Sequence, residues 1–346
     1  MSIDEPRLEL CGRVLGQDPA RVSVARAMAS GRLAHAYLLT GPEGVGKRLF
    51  AEGIARALLC AQSTQGKGDP ADVGPCGACR ACAIPLESHP GYRVLEAPAG
   101  GAIDIATVRD AITALALRSG DRRAVLIDGA DSMADPAANA LLKTLEEPPP
   151  GIVFLLITAR PAHLLATIHS RTQRIPFTAL DALSFEKVIE PFTAEVDLSA
   201  WSDGDGDVAS VLHRIAGGSP GVATRLLAGI EACGGLLRFR ELLRGVGAER
   251  PASLIDYLPA LPKETVRARM HRLLELVQYG SWGERSADPD ARRETGERAL
   301  LVAELIRGLG GGRSTEITLE ILARVLRGAS AEEVARSLPR SFFATG

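Results

Sequence analysis

The chain has 346 residues, of which 46% are apolar and only 4% aromatic, and its formal net charge is −2. That length is expected to hold two or three domains, with cores built mainly from Leu, Ile, Val and Ala. The near-neutral balance excludes a strongly basic nucleic-acid module. No apolar run reaches transmembrane length and no signal peptide is visible, which argues against a membrane protein and predicts a cytoplasmic one.

Residues 13–181 read as an α/β pattern. "ARVSVARAMASGRL" has the spacing of an amphipathic helix. "AHAYLLTG" is a short apolar run that ends in "GPEGVGKR" (41–48), and "RLFAEGIARALLC" resumes helical periodicity. Strand, glycine-rich turn, helix is the setting a phosphate-binding P-loop needs. Three later runs predict buried parallel strands: "YRVLEAP" (92–98), "RRAVLIDG" (122–129) and "GIVFLLITA" (151–159). Helical stretches between them imply βαβ units, and "QRIPF" (173–177) is a fifth short strand. From about 182 onward only helices are expected. "LSFEKVIEPF", "DVASVLHRIAGG" and "PGVATRLLAGIEACGG" are short; "KETVRARMHRLLELVQYG", "ETGERALLVAELIRGLGGG" and "EITLEILARVLRGAS" are longer. Residues 61–74 and 283–294 read as loops.

The P-loop candidate carries Gly41, Gly44, Gly46 and Lys47. Backbone N–H groups at a helix N-terminus favour phosphate, and Lys47 would reach its outer oxygens. The next position normally supplies a Ser or Thr hydroxyl to Mg²⁺. Here it is Arg48, a positive charge where the divalent cation belongs. "VLIDGADSM" (125–133) has the form of a Walker B strand, with Asp128 as the Mg²⁺-orienting carboxylate. Gly129 follows it, and Asp131 lies too far along to substitute positionally for a carboxylate there.

Six cysteines in a cytoplasmic chain call for something other than disulfides. Cys60, Cys76, Cys79 and Cys82 have the spacing C-x15-C-x2-C-x2-C, suited to a tetrahedral structural Zn²⁺. An iron–sulfur site would usually place its fourth cysteine downstream, before a proline. Cys11 and Cys233 read as small apolar residues, and the six histidines show no ligand spacing. "DGDGD" (203–207) fails the calcium-loop pattern at Val208 and Arg214. No paired-carboxylate metal site of the polymerase type is visible.

"HAYLLTGPEGVGK", the four-cysteine insertion after the P-loop helix, "NALLKTLEEPP", "FLLITARPAHLLATIHSR" and "GGSPG" occur in this order. Over residues 13–225 the chain resembles the AAA+ clamp-loader subunits of bacterial DNA polymerase III, its delta-prime class more closely than its gamma/tau class. The resemblance implies three domains: a RecA-like α/β domain over 1–180 with a zinc module (60–82), a small helical lid over 181–235 and a helical collar over 236–346. It also implies a hetero-pentamer with gamma/tau and delta subunits, acting on a sliding clamp and primed DNA, with no membrane.

Within that family one role is a motor that hydrolyses ATP. The other is a stator that lends an arginine to a neighbouring motor. The water-polarising Glu of the motors is replaced by Gly129, and their nucleotide-sensing Arg after "GS" by Pro220 and Gly221, with Arg225 about a turn too late. Ser170-Arg171, the part that serves a neighbour, is retained, although Thr172 stands where the family has Cys. Thr158 matches a γ-phosphate sensor position. The expectation is a non-hydrolysing stator, an accessory subunit of the polymerase holoenzyme, with Arg171 acting in trans. Lys47 and the glycines survive, so weak nucleotide binding stays open. A motor with unusual motifs is the alternative, and a non-replicative binding module is the more distant one.

Overall fold

The computed structural model describes residues 14–63, 73–97, 101–116, 122–193, 208–244, 251–260, 264–283, 289–310, 314–329 and 333–334. The chain forms two units, Met1–Phe185 and Glu186–Gly346.

The first unit is built on five parallel strands: β1 (Ala36–Thr40), β2 (Tyr92–Glu96), β3 (Arg123–Asp128), β4 (Ile152–Thr158) and β5 (Gln173–Pro176). Their order across the sheet is β2-β3-β4-β1-β5. Every residue of β1 and β4 is buried, which is why these runs are apolar throughout rather than alternating. The five strands are those expected from the apolar runs. The connecting helices are α1 (Asp18–Ala29), α2 (Lys47–Leu59), α3 (Arg80–Ala83), α4 (Ile105–Ala116), α5 (Asp135–Glu146) and α6 (Ala166–Arg171).

One face of the sheet packs against α4, α5 and α6 through Leu38, Val125, Ile127, Phe154 and Leu156, with Val108, Leu141, Leu145 and Ile168 from the helices. Gln17 links the entry of α1 to the end of the sheet: its Nε2 donates to the Thr178 carbonyl at 2.7 Å. A T-shaped contact between Phe50 of α2 and Phe177 after β5, 5.2 Å between centroids, closes the edge beside the P-loop.

The chain enters the second unit within α7 (Ala182–Thr193) and continues through α8 (Val208–Ile215), α9 (Pro220–Ala232), α10 (Leu236–Leu243), α11 (Val266–Gly283), α12 (Pro289–Gly310) and α13 (Thr315–Leu326). No strand occurs in this unit among the described residues. Helix α11 is its axis, packing on α8, α9, α10, α12 and α13 with Met270, Leu273, Leu274 and Val277 fully buried. Helix α9 comes close at Gly229, where a Cβ would meet Leu276 at 2.6 Å.

Two expectations need correction. Residues 289–294, read as part of a loop, form the first turns of α12. Pro289 opens the helix: a proline is well suited to a first helical turn, where its fixed φ fits and its missing N–H is not needed. Helix α10 was not anticipated, because its eight residues directly after Gly234-Gly235 are too short to show a periodicity. Cys11 and residues 203–207 lie outside the described residues, as does most of the loop at 61–74.

Candidate functional site: a P-loop, a thiolate cluster and a helix-end arginine

The turn between β1 and α2 has a P-loop backbone. Gly41, Gly44 and Gly46 all have positive φ (144°, 73° and 95°), and Gly46 is the N-cap of α2. Gly41 also passes so close to β5 that a Cβ would fall 2.2 Å from the Phe177 carbonyl oxygen. Lys47 is 6% exposed. Its ammonium donates to the Gly41 carbonyl at 2.6 Å and to the Pro42 carbonyl. Burial lowers its pKa, against the opposing pull of Glu43, Asp128 and Asp131.

Arg48 has the central place in this site. Its Nε donates to Glu52 Oε1 at 3.0 Å, and its Nη1 to Glu96 Oε2 at 2.8 Å and Asp128 Oδ2 at 3.1 Å. Glu96 and Asp128 are register partners at the ends of β2 and β3, so the sheet itself aims both carboxylates at the first turn of α2. The hydrogen bonds, Glu96 foremost, raise the Arg48 pKa, which fixes its charge. Mg²⁺ does not fit this arrangement. It demands oxygen ligands at about 2.1 Å in a near-octahedral shell. Here position 48 offers no hydroxyl, and a guanidinium holds the Asp128 oxygen.

The residue after Asp128 departs from hydrolytic geometry as well. Gly129 is left-handed (φ 71°, ψ 51°), and Ser132 Oγ donates to its carbonyl at 2.7 Å. Thr158 is buried, and its hydroxyl donates to Asp131 Oδ1 at 2.6 Å while accepting from the Arg160 N–H at 2.9 Å. Arg160 Nε in turn donates to Asp131 Oδ2 at 2.7 Å. The sensor-position threonine is therefore tied to the turn after β3. Sequence reading set Asp131 aside and did not single out Glu52, Glu96 or Arg160. An acidic residue ending each of two neighbouring parallel strands was the available signal for Glu96.

The four cysteines come together. Cys60 closes α2, while Cys76, Cys79 and Cys82 lie just before and within α3. All four sulfurs lie within 4.8 Å of one another, and the Cys60–Cys79 and Cys76–Cys82 pairs are each 3.9 Å apart. A tetrahedral Zn²⁺ with Zn–S bonds of about 2.3 Å requires sulfur separations of about 3.8 Å. Peptide N–H groups of Cys76 and Cys79 donate to Cys60 Sγ and Cys76 Sγ, both at 3.3 Å, which stabilises thiolate character. The Cys79 thiol is held down to about 6, chiefly by the Cys82 peptide N–H, whereas burial pushes the Cys82 thiol up. Four converging sulfurs fit a structural zinc and leave no open ligand position. Among the described residues no other His, Cys, Asp or Glu group gathers in this way. Cys233 is buried apart from them.

Arg171 ends α6. Its Nη1 donates to the Thr167 carbonyl and to Ser170 Oγ, both at 3.2 Å, and its Nη2 pairs with Glu146 Oε1 at 2.6 Å. Glu146 ends α5, in the "LEEPPP" stretch, so two helix C-termini present this pair together. The arginine is one-third exposed and the glutamate half exposed. An ion pair that open is worth about 1 kcal/mol or less, so Arg171 is available to another anion.

Comparison with known proteins follows this geometry. Residues 16–181 match the family described as DNA polymerase III, delta subunit. A DNA polymerase III subunit delta-prime from Pseudomonas aeruginosa is 42% identical over 190 residues, spanning 52% of this chain and 56% of that protein. A gamma/tau subunit from Mycobacterium bovis is 34% identical over 224 residues, spanning 62% of this chain and 37% of that protein. The match thus covers about half the length of its delta-prime relative. A crystal structure of a DNA polymerase III gamma subunit-related protein from Thermotoga maritima superposes with a TM-score of 0.50 at 18% identity, covering 89% of this chain and 98% of that one. At that identity the likeness concerns the fold. No described helix is long and apolar enough to cross a membrane.

Proposed function

We propose, from the premise that this chain is a relative of the DNA polymerase III delta-prime subunits, that it is the stator of a clamp loader. In this reading it joins gamma/tau and delta subunits in a hetero-pentamer that places a sliding clamp on primed DNA. It hydrolyses no ATP itself and has no polymerase site. Residues 1–180 form the RecA-like domain, 181–235 a lid and 236–346 the collar through which the subunits associate.

The observation that carries this reading is the Arg48 guanidinium bonded to Asp128 and Glu96, where a hydrolysing chain needs its metal. Gly129 stands where the motors carry their water-polarising carboxylate. Lys47 and the loop amides retain only the capacity to hold phosphate. Arg171 stands apart from that loss. Moved from Glu146 to the γ-phosphate of a neighbour, it would neutralise transition-state charge, a contribution of about 10³–10⁵ in rate for such arginines. Ser170, bonded to it, orients the guanidinium. Cys60, Cys76, Cys79 and Cys82 would hold Zn²⁺ as a staple between the end of α2 and α3.

The test is Arg171→Ala in the reconstituted complex, read as DNA-stimulated ATP turnover with subunit association checked by gel filtration. The expected result is an assembled complex with strongly lowered turnover. An unchanged rate removes the trans role. The motor alternative draws on the gamma/tau similarity. It requires ATP turnover by the chain alone, abolished by Lys47→Ala.

A further inference from the structure

We propose that Arg48 is the resident cation of this P-loop, taking the position of the divalent ion, and that this one side chain makes the site refuse that ion. The inference rests on the non-hydrolysing reading above and goes further, naming the residue responsible and predicting that the refusal is reversible.

Three carboxylates meet the guanidinium, each from a different element: Glu52 from α2, Glu96 from the end of β2 and Asp128 from the end of β3. The convergence of Glu96 and Asp128 follows from strand register, not from Arg48. It is expected to outlast removal of the arginine. With the guanidinium gone, Glu96 and Asp128 would leave two carboxylates at the mouth of a phosphate loop, oxygen ligands of the kind a hard divalent cation takes. Arg48 satisfies the same oxygens with a charge that neither deprotonates nor dissociates. A chelator therefore cannot remove it, whereas a chelator would strip a bound metal.

The test is a titration of the full, zinc-loaded chain with Mn²⁺, free ion being read by electron paramagnetic resonance. Arg48→Thr restores a hydroxyl, Arg48→Gln keeps a neutral side chain of similar length, and Arg48→Lys keeps the charge. Wild type and Arg48→Lys are expected to leave Mn²⁺ free. Arg48→Thr is expected to bind about one Mn²⁺ per chain at least about tenfold more tightly than wild type. Mg²⁺ should compete, and adding Asp128→Asn should abolish the binding. Should the threonine variant not fold, Arg48→Gln shows the same gain. Asp128-dependent Mn²⁺ binding by wild type overturns the proposal, as does a folded Thr or Gln variant that binds no more Mn²⁺ than wild type. The readout is ion occupancy on the isolated chain, so failure of the Arg171 experiment in the complex leaves it standing, and the converse holds.

Discussion

Gly41→Ala separates the architectural role of this P-loop from phosphate binding. In a nucleotide-binding loop a glycine here is usually explained by the approach of the ligand. In this chain the neighbour is protein. An added Cβ would lie 2.2 Å from the Phe177 carbonyl oxygen and 2.9 Å from its carbonyl carbon. Backbone cannot swing aside as a side-chain tip does, so β5 must retreat by about an ångström to restore van der Waals separation. That retreat strains the Phe177 N–H to Thr40 carbonyl bond at 2.7 Å, worth about 1 kcal/mol. It also loosens the Phe50–Phe177 contact, worth about 0.5–1.5 kcal/mol. Alanine at φ 144° adds about 1–3 kcal/mol of backbone strain. The total loss is roughly 3–5 kcal/mol, or a Tm drop of roughly 10 °C for a unit of this size. Urea and thermal unfolding followed by circular dichroism, with no nucleotide present, measure it. Gly217→Ala is the control: φ there is 59° with nothing within 4 Å of the new Cβ, so only the backbone cost of about 1–2 kcal/mol applies. A Gly41→Ala loss no larger than that of the control would refute the steric argument and return the glycine's role to ligand approach.

Metal analysis of the purified chain is expected to find zinc, and Cys79→Ser to release it and lower the stability of the first unit; wild-type protein free of zinc ends that assignment. Metal binding needs thiolates. The Cys79 pKa is depressed from its ordinary value of 9.0 to about 6 in the folded chain, so its contribution is complete above about pH 9, only partial at neutral pH and lost as pH falls through about 6. Zinc retention followed by a chelating dye should decline on acidification and hold at mildly alkaline pH. Gly129→Glu is expected to give no ATP turnover, although it restores the residue type of the motors. The left-handed backbone there costs about 1–2 kcal/mol for a non-glycine, and Arg48 still holds Asp128. Phosphate release above background by this variant would show that the geometry at Arg48 yields more readily than argued.

Much of this protein was legible along the chain because its signals are local. The run "AYLLT" followed by "GPEGVGK" and a helical pattern marks a P-loop wherever it occurs, since strand, turn and helix are contiguous. Three cysteines in the seven residues 76–82 and a fourth at the end of α2 announce a thiolate cluster by spacing alone. Arg48 and Gly129 declared their departures at positions whose chemistry is known. The partners of these residues were not legible. Glu96 lies 48 residues from Arg48 and Asp128 lies 80. They meet because β2 and β3 are neighbours in register, a relation set by sheet order and by no adjacent residue. The same holds for Asp131 with Thr158, joined across two strand ends, and for Glu146 with Arg171, joined across two helix ends. Sequence by itself determined which groups the chain has and which it has lost. The tertiary structure decided what fills the place of the lost groups, because charges far apart in sequence interact only once parallel strands bring their ends to one edge.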